Sequence, residues 1–491
     1  MNDKPLLRSK MFWVGILYFA QGFPAGVFYE ILPVHFRTLG IDLADIGFLS
    51  LLGLAWTLKF LWAPLVSHYR HYRRWMFAMD AAMAVVMGVF AWQAGFGTWV
   101  WVAVGCFTLL SATNDIAIDG YTIEMLNKDE MGIANGLRIG FYRVGLLAAG
   151  GLLILHPWIG WPGIYLGAGL LLVAGGCACL LAPREKEYLA PAEVSLRQEL
   201  RGIFASPFAF SAVILFLLGV LWLVDTTTRW SERYDRFWLV ALGVAAFLIA
   251  AEMAFRRLAE RAGGEEIDAR RGPMFGALID MLQRPYIVPV LLFILTFKLA
   301  DTSMGFMVKP FWVDAGFAPE QIGLVSVNIG IALSIAGGLS GGWITDRIGI
   351  FNALWVLGLF QAFSNLAYAY VAHELPTGIP GVTPDSHAQT IMYSASAVES
   401  FTQGLGTAAF LAFLMAIVNK QRSATEYALL SAVFILSRSV AGWAGGFGAE
   451  QMGYSDYFLL TFLLAFPAYL LLPWVKKMLA YAAAQKDWGQ Q

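Results

Sequence analysis

Apolar runs of membrane-spanning length recur along the whole chain, separated by short polar segments rich in Lys and Arg. A helix needs about 20 mostly apolar residues to cross a bilayer. Fourteen runs meet that rule: 11–36, 44–66, 75–94, 98–124, 132–154, 160–182, 207–225, 237–256, 285–309, 319–341, 351–373, 388–418, 424–446 and 455–475. The pattern predicts an all-α membrane protein of about 14 transmembrane helices. The first run follows Lys4, Arg8 and Lys10 and lacks a small-residue cleavage pattern. It therefore reads as a first span rather than a cleaved signal. Composition agrees: 58% of residues are hydrophobic and 14% charged, against about 25% charged in a soluble domain. Eighteen Trp and 36 Phe suit aromatic belts at two membrane interfaces. Cys106, Cys177 and Cys179 all lie in apolar runs and imply no disulfide framework.

Loop cations set the orientation, because cytoplasmic loops carry the excess of Lys and Arg. One side receives Arg70, Arg73 and Arg74, the 184–201 cluster, the 256–284 cluster, Arg347, Lys420, Arg422, Lys476 and Lys477. The other receives Arg37, Lys309 and the trio Arg229, Arg233 and Arg236, which Asp225, Glu232 and Asp235 neutralise. The first side is expected to be cytoplasmic, as are both termini.

An internal repeat predicts the architecture. FRTLGIDLADIG (36–47) and WVDAGFAPEQIG (312–323) align without a gap at an offset of 276, pairing Gly40 with Gly316, Gly47 with Gly323 and Ser50 with Ser326. Each closes one span and opens the next. The expected organisation is a six-helix half over 1–183, cytoplasmic linkers with an inserted two-helix hairpin (about 207–256) over 184–284, and a second six-helix half with a short tail over 285–491.

Charges inside apolar runs are the candidate chemistry. A charge at mid-bilayer costs roughly 2.5–3.5 kcal/mol on insertion scales, so such residues face an interior or a water-filled path. Asp115 and Asp119 share a helix face, and Lys59 and Arg143 fall at similar depth. These four read as a substrate-binding charge cluster or as a static ion-pair network, with Glu30 and Gln403 as further substrate contacts. Asp301 and Glu399 are the expected proton-coupling carboxylates, since low dielectric favours the protonated form of a carboxyl group. Lys298 and Arg438 are the nearby cations that would hold them ionised. Gln21 and His35 accompany Glu30 on the first span, where Phe23-Pro24 predicts a kink. Tyr142, Trp56 and Asn328 could offer stacking surface and hydrogen bonds to a sugar. No metal-ligand spacing, nucleotide-binding loop or nucleophile elbow occurs. The chain is therefore expected to be neither an enzyme nor an ATP-driven pump, and to need no cofactor, metal or nucleic acid. Its partners should be the bilayer, protons and a small-molecule substrate, with the chain a monomer.

GGWITDRIG (341–349) resembles the cytoplasmic signature of the major facilitator superfamily, with Gly342, Asp346 and Arg347 as the expected conformational latch. The first-half counterpart, APLVSHYRHYRRW, has His68 in place of an Asp. With the repeat, the resemblance implies the major facilitator fold, substrate at the midplane between two six-helix halves. SATNDIAIDGYTIEML (111–126) resembles a helix shared by AmpG-type muropeptide permeases and acetyl-CoA transporters. IGFLSLLGLAWTLKFLWAPL, FKLADTSM and GTAAFLAFLMAIVNKQRSATEYALLSA are similar to the AmpG side. That resemblance implies a proton-dependent importer of GlcNAc–anhydro-MurNAc peptides in the bacterial inner membrane, serving cell-wall recycling. The pair of extra spans between the halves departs from the pattern expected of such permeases. Other bulky polar solutes (a siderophore, a peptide, acetyl-CoA) and a non-transporting membrane receptor or assembly factor remain as alternatives.

Overall fold

The computed structural model describes residues 9–59, 71–93, 98–126, 131–184, 283–378, 383–418 and 423–488, with isolated positions between them. Regular structure among the described residues is helical throughout. The helices are α1 Lys10–Thr38, α2 Leu43–Leu58, α3 Tyr72–Trp92, α4 Thr98–Met125, α5 Met131–Ile154 and α6 His156–Leu181. They continue as α7 Ile287–Asp314, α8 Pro319–Ile348, α9 Ile350–Glu374, α10 Ser386–Ile417, α11 Ser423–Met452, α12 Tyr454–Leu470 and α13 Leu472–Trp488. Nine helices among the described residues are long and apolar enough to span a membrane. The count is ten if α12 and α13, bent by 47° at their junction, form one broken span.

The chain divides into two compact units. The first comprises Met1–Glu187, Pro289–Ile417 and Ser431–Ala480. The second comprises Tyr188–Val288, Val418–Leu430 and Tyr481–Gln491. Most of the expected hairpin lies outside the described residues. Within it Ala245 is buried, with Leu218 and Ile249 packed against it.

In the first unit, the sequence repeat corresponds to a repeated turn. Gly40 and Gly316 both adopt left-handed backbone, φ 79° and 85°. At the end of α1, Ile41 N–H donates to Phe36 C=O at 3.1 Å and Gly40 N–H to Arg37 C=O at 2.9 Å. At the end of α7, Phe317 N–H donates to Trp312 C=O at 3.1 Å and Gly316 N–H to Val313 C=O at 3.0 Å. These are the paired bonds of a Schellman cap, which satisfies the last helical carbonyls when a glycine follows the helix. The next helices also start alike: Asp42 and Ala318 are extended, ψ 150° and 152°, immediately before α2 and α8.

The other matched glycine is a contact point. A Cβ on Gly47 would lie 2.9 Å from Trp443 O and 3.0 Å from Gly446 Cα, so α2 meets α11 backbone to backbone. A Cβ on Gly323 would lie 2.7 Å from Gly150 O, so α8 meets α5 in the corresponding way. Small residues permit this close approach where helices gain by dispersion and hydrogen bonding rather than by escape from water. The matched Ser50 follows suit, its hydroxyl donating to Ser439 C=O of α11 at 2.7 Å.

The two matched turns meet at one end of the bundle. Arg37 donates two parallel hydrogen bonds to Asp314, at 2.6 and 2.7 Å, and Tyr454 O–H donates to the same carboxylate at 2.6 Å. Glu450 accepts from Ala44 N–H at 2.9 Å beside them. A continuous apolar cluster underlies this end, including Phe36, Leu49, Phe311, Trp312, Ile322 and Val327. Exposed Trp92, Trp99 and Trp158 stand at the adjoining ends of α3, α4 and α6, as expected of an interfacial aromatic belt. Arg37 is thus tied down in an ion pair rather than free in a loop.

Two wide π-helical turns interrupt long helices: Val27–Ile31 in α1, three residues beyond Pro24, and Ile322–Ile329 in α8. Phe23-Pro24, where a kink is expected, is followed by the first of these turns. Such turns recur at functional sites because they rotate side chains out of the regular helical register.

Replacing either Gly40 or Gly316 with Ala forces a Cβ into left-handed backbone, at roughly 1–2 kcal/mol. Both variants are expected to lose that much stability in SDS-titrated unfolding of the detergent-purified protein. Gly151→Ala, where a Cβ meets nothing within 4 Å, is the control and should be neutral or stabilising. Turn variants as stable as the wild type would contradict this account of the repeat.

Candidate functional site

A cavity of about 610 Å³ lies inside the first unit, between the helices that precede residue 187 and those that follow 289. The π turn of α1 contributes Tyr29 and Glu30, and that of α8 contributes Ser326. Arg138, Tyr142 and Arg143 come from α5; Lys298, Asp301, Phe306 and Lys309 from the α7 segment; Glu399 and Gln403 from α10; Phe434 and Arg438 from α11. The lining is a mixture of both charges, aromatic rings and hydroxyl groups. That chemistry suits a large polar solute with apolar sugar faces, and the volume falls within the roughly 300–1,000 Å³ common for ligand sites.

Among the described residues, three ion pairs involve this lining. Lys298 Nζ is 3.4 Å from Asp301 Oδ2 and donates to Gln361 Oε1 at 3.0 Å. Lys309 Nζ is 3.0 Å from Glu30 Oε2. Arg138 Nη2 is 3.1 Å from Asp119 Oδ1, and its guanidinium covers the Tyr18 ring at 4.6 Å. Lys309 had been assigned to a loop by the charge count; it lies within α7 and faces the cavity. Glu399 accepts a hydrogen bond from Ser400 Oγ at 3.2 Å. Arg438 is not beside it: its guanidinium sits 3.9 Å above the ring of Tyr29.

The cluster expected from Lys59, Asp115, Asp119 and Arg143 forms in part. Lys59 Nζ lies 3.6 Å from Asp115 and 3.5 Å from Asp119, and Tyr18 O–H donates to Asp119 at 2.8 Å. Arg143 is a correction. The cation from α5 in this network is Arg138, whereas Arg143 turns into the cavity and donates to Ser334 Oγ at 2.9 Å. Five residues advance a helix by about 500°, so the two Arg of α5 point about 140° apart; both border the cavity, but only Arg138 reaches Asp119. Lys59, Asp115 and Asp119 stand behind Tyr18 and Gln21 rather than in the cavity wall.

The remaining polar expectations divide similarly. Gln21, Tyr142, Glu30 and Gln403 line the cavity. His35 is buried, hydrogen-bonded to Tyr165 O–H at 2.6 Å and packed on Trp161. Trp56 stacks on Tyr29 from behind. A Cβ on Gly150 would clash with the Asn328 side chain, which places Asn328 against α5. Asp346 and Arg347 are exposed at the end of α8, with Arg347 over its own Trp343 at 4.0 Å. Gly342 has open space where a Cβ would lie.

Sequence reasoning passed over Arg138 and Asp80. Arg138 had a signal, since it lies seven residues inside an apolar run. Asp80 had the same signal. It is 1% exposed on α3 and accepts from Asn114 Nδ2 at 2.8 Å, away from the cavity lining.

No family model matches the chain. Over 477 residues it is 27% identical to the anhydromuropeptide permease of Escherichia coli K12, covering 95% of this chain and 79% of the permease. It is 22% identical to putative transporter AmpG 4 of Rickettsia conorii, over 94% of this chain and 95% of that one. Its fold is similar to that of a bacterial homologue of the human lysosomal transporter Spinster, solved inward-facing and unoccupied. The TM-score there is 0.61 at 13% identity, covering 98% and 99% of the two chains. The resemblance to AmpG-type permeases read from the charged helices therefore runs along nearly the whole chain. It is a multi-pass membrane transporter, not an enzyme.

The Asp115→Asn/Asp119→Asn double variant removes both carboxylates that lie beside Lys59 and the one that pairs with Arg138. Removing one side of a buried pair typically costs about 3–5 kcal/mol. The expected outcome is a large fall in the yield of monodisperse protein by size exclusion, partly restored by adding Lys59→Met. Unchanged yield of the double variant would refute the network.

Proposed function

We propose that this chain is a proton-coupled secondary transporter that imports anhydro-muropeptides across the bacterial inner membrane for cell-wall recycling. The observation that carries the reading is a cavity walled by charged, aromatic and hydroxyl side chains from both ends of the chain. The anhydromuropeptide relative supports the solute. A disaccharide-peptide needs aromatic faces for its sugars and charged groups for its peptide, and this wall has both. No observation favours a siderophore, acetyl-CoA, or a receptor or assembly role.

The proposed layout is fourteen spans of the major facilitator type, six in 1–183, the hairpin at about 207–256 within 184–284, and six in 285–491. Both termini are cytoplasmic in this layout. The matched turns then face outward, and the Arg37–Asp314 tie closes the cavity on that side. Asp346 and Arg347 fall at the cytoplasmic end, where they are free to engage other helix ends during the cycle.

Asp301 and Glu399 are the proposed proton carriers. Both face the cavity, where a proton and the solute can be exchanged together. Lys298 modulates Asp301. Lys59, Asp115 and Asp119 position Tyr18, Gln21 and the cavity-lining Arg138 rather than touching the solute.

Reconstituted protein is expected to accumulate a labelled anhydro-muropeptide when an inward proton gradient is imposed. Asp301→Asn and Glu399→Gln should keep counterflow exchange and lose gradient-driven accumulation. Accumulation by both variants in response to ΔpH would place coupling elsewhere. Absence of any muropeptide uptake or exchange by the wild type would overturn the substrate.

A further inference from the structure

Five cations line the cavity, and three of them have carboxylate partners: Lys298 with Asp301, Lys309 with Glu30, and Arg138 with Asp119. Arg143 and Arg438 do not, among the described residues. Each extends toward the other end of the chain and rests on a neutral group. Arg143 of α5 donates one N–H to Ser334 Oγ of α8 at 2.9 Å. Arg438 of α11 lies over Tyr29 of α1, its Cζ 3.9 Å from the ring centroid, and is 5.8 Å from the Phe306 ring centroid.

We propose that Arg143 and Arg438 are the carboxylate-recognising residues of the cavity, so that the solute is an anion bearing two or more carboxylates. Stacking engages the face of a guanidinium and leaves its in-plane donors free. Those donors form the fork that matches a carboxylate bidentately. Tyr29 is itself stacked on Trp56 and meets Phe306 edge-on, so the platform beneath Arg438 is fixed before the solute arrives. Arg143 keeps four of its five donors beyond the bond to Ser334. Half-buried cations without counter-ions are costly at this depth, and an incoming carboxylate relieves that cost at both places. Glu399 is the one lining carboxylate that no cation pairs within 4 Å among the described residues. It would repel a further carboxylate on its own side, so the anionic groups of the solute are directed toward the two guanidiniums.

The inference deepens the muropeptide reading and rests on it for the identity of the solute: the peptide stem of a muropeptide carries the carboxylates, and its sugars do not need these two residues. The test uses probes that separate the two claims. In proteoliposome exchange, the wild type should prefer the free-acid anhydro-disaccharide tripeptide over its fully amidated analogue. Arg143→Gln and Arg438→Gln should each weaken half-saturation for the acid on the order of 10- to 100-fold, the worth of hydrogen bonds to a charged group. They should bind the amide as the wild type does. Arg→Lys at either position keeps the charge and loses the fork, and should fall between. In parallel, thermal shifts at matched ionic strength are measured with the free tripeptide and with its triamide. Stabilisation by the acid alone, lost in the Arg143→Gln/Arg438→Gln variant, supports the inference even if no muropeptide exchanges, in which case the substrate reading fails by itself. Equal response to acid and amide in both assays, or acid preference surviving in the double variant, overturns it.

Discussion

A charge in the hydrocarbon region must find a counter-charge, a hydrogen bond or water, and this molecule is arranged around that requirement. Lys59 lies between Asp115 and Asp119, and Arg138 completes a network of two cations and two anions. Lys298 and Asp301 answer each other three residues apart, with Gln361 taking a further ammonium proton. Lys309 answers Glu30 across the cavity from another helix. Once these pairs are made, Arg143, Arg438 and Glu399 are the lining charges that no opposite charge meets within 4 Å among the described residues. Pairing therefore fixes most of the charged lining and leaves these three groups without an ionic partner there.

The repeat shows how much geometry a short sequence match can carry. Gly40 and Gly316 align because both turns need left-handed backbone, which costs a residue with a Cβ. Gly47 and Gly323 align because each lets a helix touch the backbone of a helix from the other end of the chain. The reason for the second match is invisible from sequence, since a glycine in an apolar run reads equally well as an incidental small residue. The partners Gly442, Trp443 and Gly150 carry no mark that would have named them.

The all-α class and the interior charges were legible because charge and hydropathy depend on composition over a whole turn; of the fourteen spans expected, nine or ten are met among the described residues. Which charge met which was less legible, because it depends on rotation about the helix axis. Arg143 and Arg138 were equally visible in the run at 132–154, yet face different neighbours. Arg37 and Lys309 were counted as loop charges because they stand near span ends, where a one-turn shift in boundary moves a residue from water to interior. Trp56 was expected to offer stacking surface to the solute. It instead supports Tyr29 from behind, and His35 of the first span is buried against Tyr165. Periodicity locates a residue along the membrane normal far better than it locates it around the bundle.

The contacts at the matched turns bear on the transport cycle. Arg37 and Asp314 meet through two short parallel hydrogen bonds, Tyr454 adds a third, and an apolar cluster backs them. Separating that end would break an ion pair and wet apolar surface together, so both contacts favour the joined arrangement. A ligand shifts such an equilibrium only by the difference in its affinity for the two arrangements. A solute held solely by one wall of the cavity would supply no such difference. Arg143 reaches Ser334 and Arg438 reaches Tyr29, each across from one end of the chain to the other. In the proposed reading a carboxylate is bound by the remaining donors of a guanidinium that already touches both walls. A solute held there engages both walls at once, which is the condition for its affinity to differ between two arrangements of them.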